Sequence, residues 1–134
     1  MIKKTITYVD YNGVERTEDF YFNLTKAELM RMELGVNGGM VEMMHRMIAA
    51  QDVPALVEVF EELIRKSYGV KTPDGKGFVK RAEDYEAFKS TEAYSELFIE
   101  LLSSTDASSE FFNGVTPANL AKQVEDEMAK KAIN

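Results

Sequence analysis

The hydrophobic period of the chain changes once, near residue 23, and this change limits the fold more than any other feature of the sequence. Before it, β-forming residues flank a turn at Asn12-Gly13, a pair that tolerates the positive φ angles of tight hairpin turns. This pattern predicts a β-hairpin over residues 2–22. After it, apolar residues recur every three or four positions, which indicates helices. The sequence therefore predicts an α+β fold, an N-terminal β-hairpin followed by a mostly α-helical bundle.

Capping signals mark the first helix of the predicted bundle. Thr25 and Glu28 match a capping box, in which the hydroxyl accepts a bond from a backbone amide and the carboxylate accepts one in return. A helix over 26–34 is expected after this box. Gly35 should end that helix, because glycine is common at helix C-termini.

Similar signals divide the middle of the chain. Asp52 is a good N-cap, and Pro54 fits the first turn of the strongest amphipathic helix, which Gly69 is expected to close. Turn residues over 70–80 favour a small hairpin, and a further helix is expected over 82–89.

The last third of the chain is predicted to be helical as well. Ser90 or Thr91 should cap one helix, and Asp106 should cap a short helix that ends near Gly114. We therefore expect one globular domain over 1–115, with its helical bundle over 25–114. Residues 116–134 are expected to form a C-terminal helix, either loosely docked or folded only when it binds a partner.

Composition and charge favour a cytoplasmic protein that binds neither nucleic acid nor membranes. The formal net charge is −7, whereas phosphate binding needs a basic field. Cysteine is absent, which points to a reducing compartment. The N-terminus lacks the apolar core of a signal peptide, and no apolar run reaches transmembrane length. Residues 91–117 carry acidic but no basic side chains, either as ordinary solvated surface or as a face that steers a basic partner.

The sequence offers no candidate catalytic, cofactor-binding or metal-binding residue. His45 is the only histidine, so neither a zinc site nor a nucleophile with a histidine base is expected. The glycine-rich stretch over 35–39 lacks the lysine and hydroxyl residue of a phosphate loop. The 23 acidic residues leave a carboxylate-pair enzyme open, but they single out no pair.

Nonpolar stripes on two predicted helices are the candidate partner-binding features. Four methionines and Ile48 follow helical spacing, and methionine suits surfaces that accept more than one nonpolar shape. Core packing is the ordinary interpretation of such a stripe, and a partner-binding groove is the functional one. The C-terminal helix carries a thinner stripe. The candidate residues are Met40, Met43, Met44, Met47, Leu120, Val124 and Met128.

Three stretches of the sequence carry a family resemblance. They are Phe20–Leu29; then Lys66–Lys71 with Asp74–Lys76 and Phe78–Lys80; and last Thr91–Phe98 with Phe112–Pro117. In this order and spacing, the chain resembles the short tail assembly chaperones of long-tailed, siphovirus-like bacteriophages and prophages. The resemblance spans roughly residues 1–118.

This resemblance implies a function based on protein partners. Such chaperones bind the tape-measure protein, keep it soluble while tail tube subunits assemble around it, and then leave. The resemblance thus implies work in the host cytoplasm, absence from the mature virion and no enzymatic activity. It also leaves open a longer, frameshifted product encoded through Lys130-Lys131, and a homo-oligomer. The alternative is a structural virion protein, such as a head–tail connector or a tail-completion subunit.

Overall fold

A computed structural model describes residues 1–35 and 39–116 of the chain. These residues form four strands and six helices, which confirms the predicted α+β fold with an N-terminal hairpin and a mostly helical remainder. In chain order, the elements are β1 (Ile2–Val9), β2 (Glu15–Phe22), α1 (Lys26–Leu34), α2 (Met40–Ala50), α3 (Val53–Ser67), β3 (Tyr68–Lys71), β4 (Phe78–Val79), α4 (Ala82–Lys89), α5 (Glu92–Ser103) and α6 (Thr105–Val115).

The strands form one antiparallel sheet in the order β1-β2-β3-β4. The predicted hairpin over 2–22 is present, and Gly13 in its turn has a φ of 81°. The predicted hairpin over 70–80 is present as β3 and β4. The sequence predicts two hairpins and no pairing between them. In the structure, Phe22 of β2 pairs with Tyr68 of β3. The end of the first hairpin is therefore continuous with the second.

Two helix starts, those of α1 and α3, follow the predicted capping chemistry. Thr25 and Glu28 form both bonds of the capping box, at 3.1 and 2.9 Å, and Gly35 is the C-cap of α1. The Asp52 carboxylate accepts a bond from a first-turn amide of α3 at 3.3 Å. Thr91 occupies the N-cap position of α5, but its hydroxyl donates backwards to the last turn of α4 instead of capping.

Gly69 does not end α3, which corrects the prediction from the sequence. The helix ends at Ser67, whose hydroxyl donates to the carbonyl of Leu63 at 2.6 Å. Tyr68 then takes an extended conformation and enters β3 directly. Glycine at position 69 has another role, because a Cβ there would lie 2.7 Å from the ring of Phe78 and would force that ring to move.

The predicted N-cap of the short helix α6 also needs correction, whereas its end at Val115 agrees with the predicted end near Gly114. Its N-cap is Ser104 and not Asp106, since the Ser104 hydroxyl accepts a 3.0 Å bond from a first-turn amide. Gly114 lies inside the helix, which continues to Val115. A Cβ at Gly114 would lie 2.8 Å from the side chain of Ile2, so this glycine lets α6 approach β1 closely.

The core is centred on Phe22, the last residue of β2, which is completely buried. Its ring lies 5.4 Å from that of Phe111 in α6, 5.8 Å from Phe88 in α4 and 5.7 Å from Tyr68 in β3. Aromatic pairs at these distances are stabilising beyond the area that they bury. Phe22, at the end of β2, thus packs the sheet against helices α4 and α6.

The predicted C-terminal helix lies outside the described residues, together with Leu120, Val124 and Met128. The division of the chain into 1–115 and 116–134 therefore stays a prediction. Among the residues that the structure describes, no helix has the length and nonpolar character needed to cross a membrane.

Candidate functional site

The predicted methionine stripe of α2 divides between the core and its edge. Met40 and Met44 are buried, and Ile48 continues this inner row at the same spacing of four. Met43 and Met47 are half-buried and pack against the core from its edge. A buried side chain offers no surface to a partner unless the core opens. Of the four methionines of this stripe, Met43 and Met47 are therefore the ones that present nonpolar surface.

The adjoining helix α1 presents two more nonpolar side chains. Met30 is 42% exposed and Leu34 is 72% exposed, and they lie one helical turn apart on the same side. Leu29 takes the buried position on the inner side of α1. Because α1 and α2 contact each other, these residues belong to neighbouring helices. We call Met30, Leu34, Met43 and Met47 the α1–α2 apolar residues.

Sequence reasoning missed Leu34, although a signal was present. Helix α1 carries nonpolar side chains at Leu29, Met30, Met32 and Leu34, and successive helical residues point about 100° apart. A helix that packs by one side cannot bury all four. Counting the nonpolar positions around α1 would therefore have predicted that some of these four side chains are exposed. It would not have identified which of them.

A groove runs between α1, the end of α3, β3 and the start of α4. It consists of two adjoining cavities of about 180 and 460 Å³, both lined by Glu28 and Lys66. Leu24, Arg31 and Met32 complete the lining of the smaller cavity. The larger cavity adds Tyr68, Ala82, Tyr85 and four further charged side chains.

This groove is basic, although the whole chain carries a net charge of −7. Two carboxylates, those of Glu28 and Glu86, lie among its lining residues. The cationic lining residues outnumber them and are Arg31, Arg65, Lys66, Lys80 and Arg81. We call this feature the basic groove.

Lys80 fixes the inner part of the basic groove. Its ammonium donates to Glu28 Oε1 at 2.6 Å and to the carbonyl of Asn23 at 2.7 Å. Burial acts to raise the pKa of Glu28, but bonds from Lys80 and from the Thr25 amide outweigh burial, so this pKa lies below its ordinary value. Glu28 therefore stays ionised and joins the α1 capping box to the groove.

Tyr68 lies at the other end of the basic groove. Burial raises the pKa of its hydroxyl, and the nearby charges of Asp84 and Glu18 act in the same direction. Its ring stacks on that of Phe88 at 4.7 Å. Tyr68 thus lines the groove with an uncharged aromatic side chain, next to the cationic lining residues.

The acidic run predicted over 91–117 lies on α5 and α6. Two of its members hold the hairpin against α5, since Glu100 pairs with Lys4 at 2.6 Å and Glu92 accepts a 3.1 Å bond from Tyr11. One large nonpolar residue, Ile99, is 65% exposed beside them. The exposed acidic residues are Glu92, Glu96, Glu100, Asp106 and Glu110.

The histidine that the sequence singled out is a surface residue. His45 is exposed on α2, and its ring meets that of Phe112 edge-on at 5.8 Å. Within residues 1–35 and 39–116, no three His, Asp or Glu side chains come together in a way that could hold a metal ion. What this part of the chain does present is exposed nonpolar and charged surface.

A family model described as phage tail assembly chaperone matches residues 1–133 of the chain. The chain belongs to this family of phage tail assembly chaperones. The resemblance inferred from the sequence is thereby confirmed, and the match extends past residue 118 into the C-terminal stretch. Searches of curated proteins and of solved structures found no significant match.

Family membership gives the chaperone a role in tail assembly, which implies protein partners. The family is one of chaperones and not a class of enzymes. The family match names no partner and no contact residue. The α1–α2 apolar residues and the basic groove are therefore the candidate contact surfaces, chosen on their geometry alone.

Proposed function

We propose that this chaperone binds the tape-measure protein of its phage in the host cytoplasm, keeps it soluble and helps to recruit tail tube subunits. Membership in the tail assembly chaperone family supports a role at this stage of assembly. The observation that carries the proposal is the set of α1–α2 apolar residues, which lie exposed or half-buried on two neighbouring helices. A long helical client with nonpolar stripes is the partner that such residues would cover.

The α1–α2 apolar residues suit a client that must later be released. Complete burial of one Leu or Met side chain contributes roughly 1.5–3 kcal/mol. Met30 and Leu34 are only partly exposed, so covering them recovers a fraction of that value each. The resulting contact is a few kcal/mol at most before the entropy of association is subtracted. A contact of this strength holds a client only together with other contacts along the client, and it can easily let the client go.

Methionine makes the proposed contact tolerant of sequence. Its unbranched side chain has three rotatable bonds, so Met30, Met43 and Met47 can fit different nonpolar shapes. A tape-measure protein would present many such stripes along its length, each with its own side chains. Met40 and Met44 would support this contact from within the core without touching the client.

Co-expression with the tape-measure protein of the same phage tests the proposal. The chaperone should move the tape-measure protein from the pellet to the supernatant, and a tag on the chaperone should recover both proteins. Adding tail tube protein should give a complex that contains all three on size exclusion. A tape-measure protein that stays in the pellet at an unchanged level would contradict the proposal.

Purified virions separate this proposal from the structural alternative. A chaperone that leaves before maturation should give no peptides in mass spectra of purified particles. A connector or tail-completion subunit would instead appear in constant proportion to the tail proteins. Finding such stoichiometric copies would replace the proposed function with the structural one.

A further inference from the structure

The first strand of the sheet has an open edge. In the order β1-β2-β3-β4, β1 has a neighbouring strand on one side only within residues 1–35 and 39–116. It runs for eight residues, Ile2–Val9, and its register with β2 continues without a bulge. Open edges of this kind offer unpaired backbone groups to a further strand, and most proteins shorten, bend or charge them. β1 is therefore a candidate for pairing with another chain.

The register of the first hairpin shows which backbone groups of β1 face the open edge. The Asp10 amide donates to the Val14 carbonyl at 2.8 Å, so these two residues form a hydrogen-bonded pair. Such pairs alternate along antiparallel strands, and the register of β1 and β2 continues from this one. The even-numbered residues of β1 therefore bond to β2. The residues whose amides and carbonyls point outward are Lys3, Thr5, Thr7 and Val9.

The side chains of β1 leave this edge open to a further strand. An inward-pointing lysine is one device that protects an edge, and Lys4 has this position. Its ammonium lies 2.6 Å from the carboxylate of Glu100 in α5, so its charge is already compensated within the chain. Residues 2–9 contain no proline. The side chains of the four outward residues are exposed.

We propose that β1 pairs with β1 of a second copy of this chain, antiparallel and about a twofold axis at Ile6. Ladder bonds form only where outward residues of the two copies oppose each other. This register sets Thr5 opposite Thr7 of the second copy, and Lys3 opposite its Val9. Four such pairs give about eight hydrogen bonds between the copies. The twofold axis closes the assembly, since each copy uses its single β1 edge.

Opposite charges favour a second copy as the occupant of this edge. Val9 pairs with Glu15 in the hairpin, so Lys3 of one copy and Glu15 of the other lie in one row of the exposed face. Their Cα atoms would be about 10 Å apart, a span that the two long side chains can bridge. Neither residue forms an ion pair within the part of the chain that the structure describes. The twofold axis would form this pair twice.

The neighbouring registers lack this match. An axis at Lys4 would place the Lys4 side chains of the two copies directly opposite each other, and like charges in that position are destabilising. An axis at Thr5 would place Lys3 in the row of Thr7 and Thr17, which carry no charge. The register centred on Ile6 is therefore the one that the side chains select.

The mass of the full-length chaperone in solution tests the pairing. Light scattering after size exclusion should give twice the 15.2 kDa of one chain at high micromolar concentration, and a falling mass on dilution. The mass of a single chain at every concentration would overturn the proposal. The measurement uses the purified chaperone alone, so its result does not depend on the proposed binding of the tape-measure protein.

Two proline variants show whether the β1 edge carries the contact. Thr7→Pro removes an outward amide from this edge, and Thr17→Pro is its matched control on β2. Thr7 and Thr17 oppose each other, so both variants lose the same 2.9 Å hydroxyl contact, and neither loses a bond between β1 and β2. Thr7→Pro should be a single chain at concentrations where Thr17→Pro still has twice that mass. Equal masses for the two folded variants would overturn the proposal.

A charge exchange tests the register without changing the backbone. Lys3→Glu and Glu15→Lys should each raise the dissociation constant of the dimer at least about fivefold, because like charges then meet twice. The double variant should restore the original constant. Within one chain, residues 3 and 15 lie about 20 Å apart along the hairpin, so only contact between copies explains such a recovery.

The charge exchange also serves if circular dichroism shows that a proline variant does not fold, because both of its positions are exposed. Single variants that dimerise like the unchanged chaperone would overturn the proposed pairing. A double variant that stays as weak as the single variants would overturn it as well.

Discussion

The backbone amide of Leu24 donates a 2.8 Å hydrogen bond to the carbonyl of Val115, which joins the end of β2 to the end of α6. The preceding amide, that of Asn23, donates to the carbonyl of Ser67 at 2.8 Å. These two residues of the connection between β2 and α1 are thus held on one side by the end of α6 and on the other by the end of α3. The capping box of α1 follows this connection directly, and Leu24 also lines the basic groove.

Replacing Gly114 by alanine should destabilise the protein, although alanine is the better helix former. The propensity gain is about 1 kcal/mol. Against it, the new Cβ would lie 2.8 and 2.9 Å from atoms of the Ile2 side chain. Overpacking of this kind costs about 1–3 kcal/mol, so we expect a lower free energy of unfolding in urea.

The control for this prediction lies on the same helix. Asn113 is exposed in α6, and Asn113→Ala should keep or slightly raise the free energy of unfolding. If Gly114→Ala raises it by a similar amount, the close approach of α6 to β1 is not a constraint on stability.

Neighbouring methionines in α2 should differ sharply in their effect on stability. Met44 is 0% exposed, and Met44→Ala should lower the free energy of unfolding by about 2–5 kcal/mol through the cavity that it leaves. Met43 is half-buried, so Met43→Ala should cost clearly less. Equal losses in a denaturation series would contradict the division of this stripe into core and edge.

Low pH should lower the free energy of unfolding partly through protonation of Glu28. Its pKa is lowered below the ordinary 4.5 in the folded state, so ionised Glu28 stabilises the fold at pH values above about 4.5. This contribution is lost as the pH falls through the lower folded pKa. Glu28→Gln should therefore flatten the dependence of unfolding free energy on pH in this acidic range, and so should Lys80→Gln. Curves that stay parallel to that of the unchanged protein would argue against the Lys80 pairing.

Local signals in the sequence predicted much of the fold because their chemistry is local. The Thr25–Glu28 capping box and the turn at Gly13 each depend on residues a few positions apart, and both are present. Gly69, which was predicted to end α3, and Gly114, which lies near the predicted end of α6, instead permit long-range approaches to Phe78 and Ile2. No pattern within β3 or α6 carries that information.

The candidate surfaces were less predictable, since exposure depends on which elements pack together. Helical spacing correctly placed the methionines of α2 on one side, but it could not show that Met44 is buried while Met43 lies at the edge. The basic groove depends on Lys80 meeting Glu28, residues far apart in the sequence. Only the paired hairpins bring these two side chains together.

The most direct test of the account concerns the two most exposed α1–α2 apolar residues. The double variant Met30→Asp with Leu34→Asp changes surface positions, so the fold should persist in circular dichroism and urea unfolding. Ile99→Asp is the matched control, since it places a charge on a similarly exposed nonpolar residue of α5.

The measurement is the amount of tape-measure protein that co-purifies with each tagged variant after co-expression. We predict that Met30→Asp with Leu34→Asp abolishes or strongly reduces co-purification, whereas Ile99→Asp leaves it at the level of the unchanged chaperone. Undiminished recovery with the folded double variant would contradict the claim that these side chains hold the client, and so would an equal loss with Ile99→Asp.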